Sequence, residues 1–166
     1  EGAMADYNKA IELNPNMPEI YYNRGQLYYN LHLYDKSLID YNRGIELSPN
    51  ISGAYNNRAD LYLKMGQLDN ALDDINTAIT LDPSSYVSYV TRGEIYQARE
   101  QYNDAICDFS KVISINSNIK DVYKYLSECY YRLLDKTSDE EKKKQYVALA
   151  DANQKKYNEL DNKADK

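Results

Sequence analysis

The sequence predicts an all-α solenoid of stacked helical hairpins with a long helix at its C-terminal end. Three observations carry this expectation. A 34-residue period runs along most of the chain, the apolar residues within each period are spaced as on one face of a helix, and prolines fall at the period boundaries. Tyr21, Tyr55, Tyr89 and Tyr123 keep the 34-residue step, as do Tyr28, Tyr62, Tyr96 and Tyr130. The small residues Gly25, Ala59, Gly93 and Ser127 keep it too, and so do Pro15, Pro49 and Pro83, with Ser117 in the next place.

Each period reads as two helices. Tyr21, Gly25, Tyr28 and Leu31 follow an i, i+4, i+7, i+10 pattern, which is one helical face. A second helix begins near Asp35, an N-cap or first-turn acid, and carries Leu38, Tyr41 and Ile45 toward the same core. Pro49 closes the unit, because proline cannot continue a helix and biases the residue before it toward extended geometry. Gly25 and its small equivalents leave room for the partner helix, on which Ser37, Ala71 and Ala105 supply the matching small residue.

These positions resemble the tetratricopeptide repeat, whose pattern places an aromatic, a large residue then Gly, Tyr, Ala, an aromatic, Ala and Pro at these spacings. The first unit carries it as Tyr21, Arg24, Gly25, Tyr28, Ser37, Tyr41, Gly44 and Pro49, and the second as Tyr55, Arg58, Ala59, Tyr62, Ala71, Ile75, Ala78 and Pro83. The third carries Tyr89, Arg92, Gly93, Tyr96, Ala105, Phe109 and Val112. Tyr stands for the usual Trp and Arg for the usual Leu. The resemblance runs from the start to about Leu133 and implies a right-handed α-α superhelix forming a single domain, 1–166. Residues 1–16 are the second helix of a truncated repeat, 17–50, 51–84 and 85–118 are three repeats, 119–134 is the first helix of a partial fourth, and 135–166 is a charged loop with a long capping helix.

Both ends depart from the pattern. Ala3, Tyr7 and Ala10 belong to a second helix without its first, so an uncovered apolar face is expected, met by upstream repeats or by self-association. Tyr146, Leu149, Ala150, Asn153, Tyr157 and Leu160 share one face of the last helix with polar residues opposite, as in the polar-backed caps that end solenoids. A docking helix for a partner is the alternative reading.

Composition narrows the function classes. A net charge of −6 and a pI near 4.9 disfavour nucleic acid, whose affinity comes from clustered Lys and Arg. No apolar run approaches the roughly 20 residues needed to span a bilayer, and the first residues show no leader pattern. A soluble chain without membrane insertion is expected. Its compartment is open, the cytoplasm favoured over an export route whose signal would lie upstream. The 19 Tyr against one Phe and no Trp suit half-buried seams, where a polar tip stays wet. Cys107 and Cys129 are expected as reduced, buried core thiols, not as a disulfide or metal site. His32, the lone histidine, has no nucleophile or acid arranged around it, and neither cofactor nor metal is expected. The chain does not read as an enzyme.

Arg24, Arg58 and Arg92 keep the period together with Asp40, Asp74 and Asp108, and Asp6 lies on the same step. Co-repeating Arg and Asp read as structural ion pairs, with Arg24 beside Asp40 or Asp6. Leu126 stands where the next Arg would fall.

The resemblance further implies that first helices line a concave groove for peptides or helices of other proteins. Carried across residue by residue, the groove positions include Tyr22, Asn23, Gln26 and Tyr29, then Asn56, Asn57 and Asp60, then Thr91, Glu94 and Gln97, and finally Tyr125, Glu128, Tyr131 and Arg132. Most of these change from unit to unit. One subgroup of the family clamps the acidic tails of heat-shock chaperones with Lys, Arg and Asn. Asn57 matches its middle Asn, but Tyr22, Val87 and Thr91 stand at the basic positions. Gln26, Asp60, Glu94 and Glu128 form one row that tilts the groove acidic, offset by Lys64, Lys124 and Arg132. The expected function is therefore a protein-interaction scaffold for a neutral or basic peptide, anchored on Tyr22 and Tyr29. The alternatives are a structural spacer or self-assembly segment of a longer protein, or the regulatory arm of an enzyme elsewhere on a parent chain.

Overall fold

A computed structural model describes residues 2–164. Glu1, Asp165 and Lys166, the outermost residues of the expected segments 1–16 and 135–166, lie outside the described residues. The described residues form nine α-helices and no strand: α1 Gly2–Leu13, α2 Pro18–Asn30, α3 Tyr34–Leu47, α4 Ser52–Lys64, α5 Leu68–Leu81, α6 Tyr86–Ala98, α7 Tyr102–Ile115, α8 Lys120–Lys136 and α9 Glu140–Ala164. This is the all-α solenoid fold of tetratricopeptide hairpins. Contacts gather the helices into two compact units, one ending at Pro83 and the other starting at Ser84.

The turns inside the hairpins repeat as faithfully as the helices. At the end of α2 the N–H of His32 donates to the Tyr29 carbonyl and that of Leu33 to the Tyr28 carbonyl, both at 2.9 Å. Gly66 and Gln67 close α4 in the same way, and Glu100 and Gln101 close α6. The pattern requires a left-handed residue just past the helix, which satisfies carbonyls that the helix leaves unpaired. His32, Gly66 and Glu100 hold it, with φ of 58°, 72° and 58°. The lone histidine is thus a turn residue. Asp35 lies in the first turn of α3, not at its cap, and faces the positive end of the helix dipole.

In the first unit α2 packs on α3, α3 on α4 and α4 on α5. Tyr41, Ala59, Leu61, Ala71, Ile75 and Ala78 are buried there. At the α2–α3 crossing the Ser37 hydroxyl donates to the Gly25 carbonyl at 2.8 Å, so the small residues do more than make room. The Tyr21 hydroxyl reaches back to the Pro15 carbonyl, and Tyr123 repeats this to Ser117, both at 3.0 Å. A phenylalanine at either place would leave that loop carbonyl without its donor.

In the second unit Ala105, Phe109, Val112, Val122, Leu126 and Cys129 form one core cluster. The long last helix runs antiparallel to α8. Tyr146 stacks near Tyr130 at one end, with ring centroids 6.2 Å apart, and Asp161 bonds Lys120 at the other. Between them the Ser127 hydroxyl donates to the Ala150 carbonyl at 2.9 Å. Over Asp135–Glu141, read from the sequence as a charged loop and helix start, α8 runs to Lys136 and the Asp139 carboxylate accepts from the N–H groups of Glu141 and Lys142 to start α9. Ala150 takes the second-helix place that the 34-residue step would have given to Asp139.

The two cysteines part company. Cys129 is buried, and burial pushes its thiol up to about 11. Cys107 is exposed, contrary to the expectation of two core thiols. It sits two residues from both Ala105 and Phe109, which face the core, and two residues are about half a helical turn.

The crossings set the tolerance for side chains. A Cβ on Gly93 would come within 2.4 Å of the Phe109 ring, whereas one on Gly53 meets nothing within 4 Å. Gly93→Ala should therefore lower stability by about 1–3 kcal/mol through overpacking. Gly53→Ala should raise it by about 0.5–1 kcal/mol through helix propensity, both read from urea denaturation midpoints.

Candidate functional site

The recurrent charges come first, because they decide which side chains remain free. Arg24 Nε and Nη2 grip both oxygens of Asp40 at 2.7 Å. Arg58 holds Asp74 at 2.6 and 2.7 Å, and Arg92 holds Asp108 at 2.7 and 2.8 Å. Of the two candidates for Arg24 the structure selects Asp40. The third arm goes backward along the array: Arg24 Nη1 bonds Asn8 on α1, and Arg58 Nη1 bonds Asn42 on α3, both at 2.7 Å. Each of these two guanidiniums joins its own hairpin to the preceding helix.

Tyrosines complete the enclosure. The Arg24 guanidinium carbon lies 5.9 Å from the Tyr21 ring and 5.8 Å from the Tyr28 ring. Tyr55 and Tyr62 flank Arg58, and Tyr89 and Tyr96 flank Arg92, at 5.6–5.9 Å. Positions three before and four after a helical residue share its face, so the two recurrent tyrosines bracket the arginine between them. The carboxylates are only 3–10 % exposed and their arginines 17–22 %, a burial that charged groups tolerate only when paired.

The expected groove residues divide once packing is visible. Tyr22, taken from the sequence as an anchor facing the groove, lies in the α2–α3 contact. A Cβ on Gly44 would stand 2.3 Å from its ring, and its hydroxyl donates to the Ser48 carbonyl at 3.2 Å. Burial, then Tyr55 and Glu19 nearby, push its phenol up to about 12. Thr91 is buried as well and donates to the Val87 carbonyl at 3.2 Å. Gln26 accepts from the Tyr41 hydroxyl at 3.1 Å and donates to Asn30 at 3.2 Å.

The acidic row is also partly engaged. The Tyr29 hydroxyl makes a short hydrogen bond to Asp60, linking α2 to α4, and burial plus this bond raise its pKa. Tyr125 is raised by burial, by the Glu94 charge and by a hydrogen bond to Glu94, while its ring lies 5.3 Å from Phe109. Asn56 buries an Oδ1 that has no partner among the described residues, and Asn57 is half-buried. Asn23 is exposed and lines a shallow depression with Gln26, Asn30, Leu27, Tyr7 and Ala3. Glu128 is exposed beside a larger depression in the second unit, about 520 Å³, to which Gln97, Tyr102, Tyr131, Arg132 and Asp135 also contribute.

Sequence reasoning missed Asn8, Asn42 and Tyr102. The two asparagines stand 34 apart and carried the signal. Tyr102 begins a second helix and would not be sought among first-helix positions. Among the described residues no group of three His, Cys, Asp or Glu could hold a metal ion, and no helix is long and apolar enough to cross a membrane.

Comparison with known proteins places this architecture. The profile described as "TPR repeat" matches residues 1–31, and that described as "Tetratricopeptide repeat" matches 18–51 and 52–85. The chain belongs to the tetratricopeptide-repeat family. No curated protein matches its sequence significantly. Among solved structures, MamA 41-end from Desulfovibrio magneticus RS-1 superposes with a TM-score of 0.83 at 20% identity, over 98% of this chain and 86% of that one. The first TPR of Spaghetti (RPAP3) bound to HSP90 peptide SRMEEVD gives 0.68 at 23% identity, over 70% and 92%. The Arabidopsis OM64 TPR domain gives 0.66 at 22% identity, over 69% and 96%. At these identities the likeness is one of fold.

Two outcomes follow from the buried groups. Asp74→Asn, which strands the Arg58 charge, should lower stability by about 2–4 kcal/mol in urea denaturation. Lys9→Ala, in the exposed pair with Glu12, should stay within about 0.5 kcal/mol. The phenols of Tyr22 and Tyr41, pushed up to about 12 chiefly by burial, favour the fold while protonated. Their contribution is intact below the ordinary phenol pKa of about 10 and is lost as pH rises toward 12. Circular dichroism should thus report helix loss between about pH 10 and 12, together with late tyrosinate absorbance.

Proposed function

We propose that this chain is a protein-interaction scaffold whose first-helix faces hold an extended segment of a partner, neutral or basic in character. The observation that carries the reading is the state of the three positions where an acidic tail would need cations. Tyr22 is packed against Gly44, Thr91 is buried, and Val87 is an exposed apolar residue. An acidic segment would meet no counter-charge there. In the first unit the exposed Asn23 and half-buried Asn57 offer both donor and acceptor to a peptide backbone; in the second, taken by itself, Glu128 offers a carboxylate to a cation. Tyr29 contributes ring surface but its hydroxyl is committed to Asp60, so it acts as a fixed apolar wall. The neighbour bound to SRMEEVD is a precedent for peptide capture on this fold. That peptide is acidic, and the present chain has Tyr22, Val87 and Thr91 where the clamp for such a tail would place basic residues.

Self-association is the second reading, favoured by α1, none of whose residues is buried, and by the depression that Ala3 and Tyr7 share with Leu27. Light scattering against concentration tests it: dimers abolished by Tyr7→Ser would support it.

The scaffold reading is tested on an immobilised peptide library of basic, neutral and acidic members. Retention of neutral and basic peptides, weakened about fivefold by Asn57→Ala through loss of one hydrogen bond, is the expected result. Preference for acidic tails, or no peptide retained at all, overturns it.

A further inference from the structure

We infer that the depression between the α6–α7 turn and α8 receives an arginine side chain of the partner segment. The inference rests on the scaffold reading and narrows it to one subsite. Glu128, Arg132 and Asp135 lie at i, i+4 and i+7 and so form one stripe along α8. Among the described residues none of the three enters a hydrogen bond or ion pair, although all line the same depression.

The surrounding walls, by contrast, are held. The Tyr131 hydroxyl donates to Asp151 at 2.7 Å, and the Gln97 amide donates to the Tyr125 carbonyl at 3.3 Å and approaches Cys129 Sγ at 3.2 Å. Tyr102 carries the Lys136 ammonium 4.8 Å from its ring centroid, and that ammonium is bonded to Glu100 at 2.8 Å. Aromatic walls with contacts of their own limit the ordering cost to the charged side chains that meet the ligand, which have no partner to release first. The depression is open to solvent and, at about 520 Å³, has room for one long side chain.

Charge and ring chemistry select the occupant. Two carboxylates against one guanidinium leave the stripe negative, and the neighbouring Glu100 and Lys136 cancel each other. Glu128 is also the member of the acidic row with no tyrosine hydroxyl on it, whereas Asp60 has Tyr29 and Glu94 has Tyr125. An incoming arginine can lay its weakly hydrated plane on a tyrosine ring and present a fork to Glu128 or Asp135, a combination that a lysine ammonium matches only as a point charge.

The test uses the full chain, isotopically labelled, and a short acetylated peptide with one central arginine among glycine and serine, beside a twin carrying citrulline. Amide shifts at Tyr102 and along Glu128 to Asp135 that saturate with the arginine peptide and are absent with citrulline are expected. Glu128→Gln with Asp135→Asn should weaken binding about tenfold, and Arg132→Gln should strengthen it about threefold. All three side chains are exposed, so circular dichroism should show these variants folded as the parent. Equal binding of the citrulline twin, unchanged affinity in the double variant, or shifts confined to other helices overturns the arginine subsite. Library peptides retained equally by parent and double variant would sink this subsite while leaving the scaffold reading standing. An empty library sinks the scaffold reading itself.

Discussion

A guanidinium carries one charge but five N–H groups, and a seam between packed helices offers that charge little water. The chain resolves this by sharing each of the three recurrent arginines, Arg24, Arg58 and Arg92, between helices. Two arms of Arg24 take both oxygens of Asp40 and a third takes Asn8, while Tyr21 and Tyr28 close over its faces. Much of the rest follows. The recurrent tyrosines stand three residues before and four after each of these arginines, and Tyr123 and Tyr130 keep the same places around Leu126. Where Leu126 replaces the arginine, the core turns apolar and the last hairpin is held by a different set of contacts, centred on Ser127 and Ala150.

The same economy limits the face that is free to recognise anything. Tyr22 varies between repeats, since Asn56, Val90 and Lys124 stand at its equivalents, yet it is packing, because Gly44 stands opposite where later repeats have Ala78 and Val112. Variation at that position is matched by compensation across the helix pair, so a variable residue need not be a functional one. Likewise two of the three carboxylates that the sequence puts in one acidic row have tyrosine hydroxyls on them, so a count of charges read from the sequence overstates how many are left uncommitted.

These particulars mark where the sequence could be read and where it could not. Helix order and the crossing residues were legible because a 34-residue period repeats every local decision, so each ambiguity is settled several times over. The choice of Asp40 over Asp6 was not, because both keep the period and only the approach of α2 to α3 separates them. Asn8 and Asn42 were legible in principle, having the same spacing as the arginines they bind. Cys107 and Thr91 show the converse: each burial depends on a rotation of about one residue around a helix, which composition does not reveal.

The bonds to Arg24 and Arg58 run sixteen residues forward to an aspartate and sixteen residues back to an asparagine. A duplication or deletion of one whole unit, wherever its ends fall, restores both spacings at every junction, so such an array can lengthen or shorten in evolution without stranding a charge. An insertion of one or two residues within a helix between the partners would instead rotate one of them out of the pair. The longer α8–α9 hairpin departs from the step, and it lies where the arginine has already given way to Leu126. The ion pairs thus tie the length of the array to whole repeats: a unit added or removed in register leaves every guanidinium with its partners.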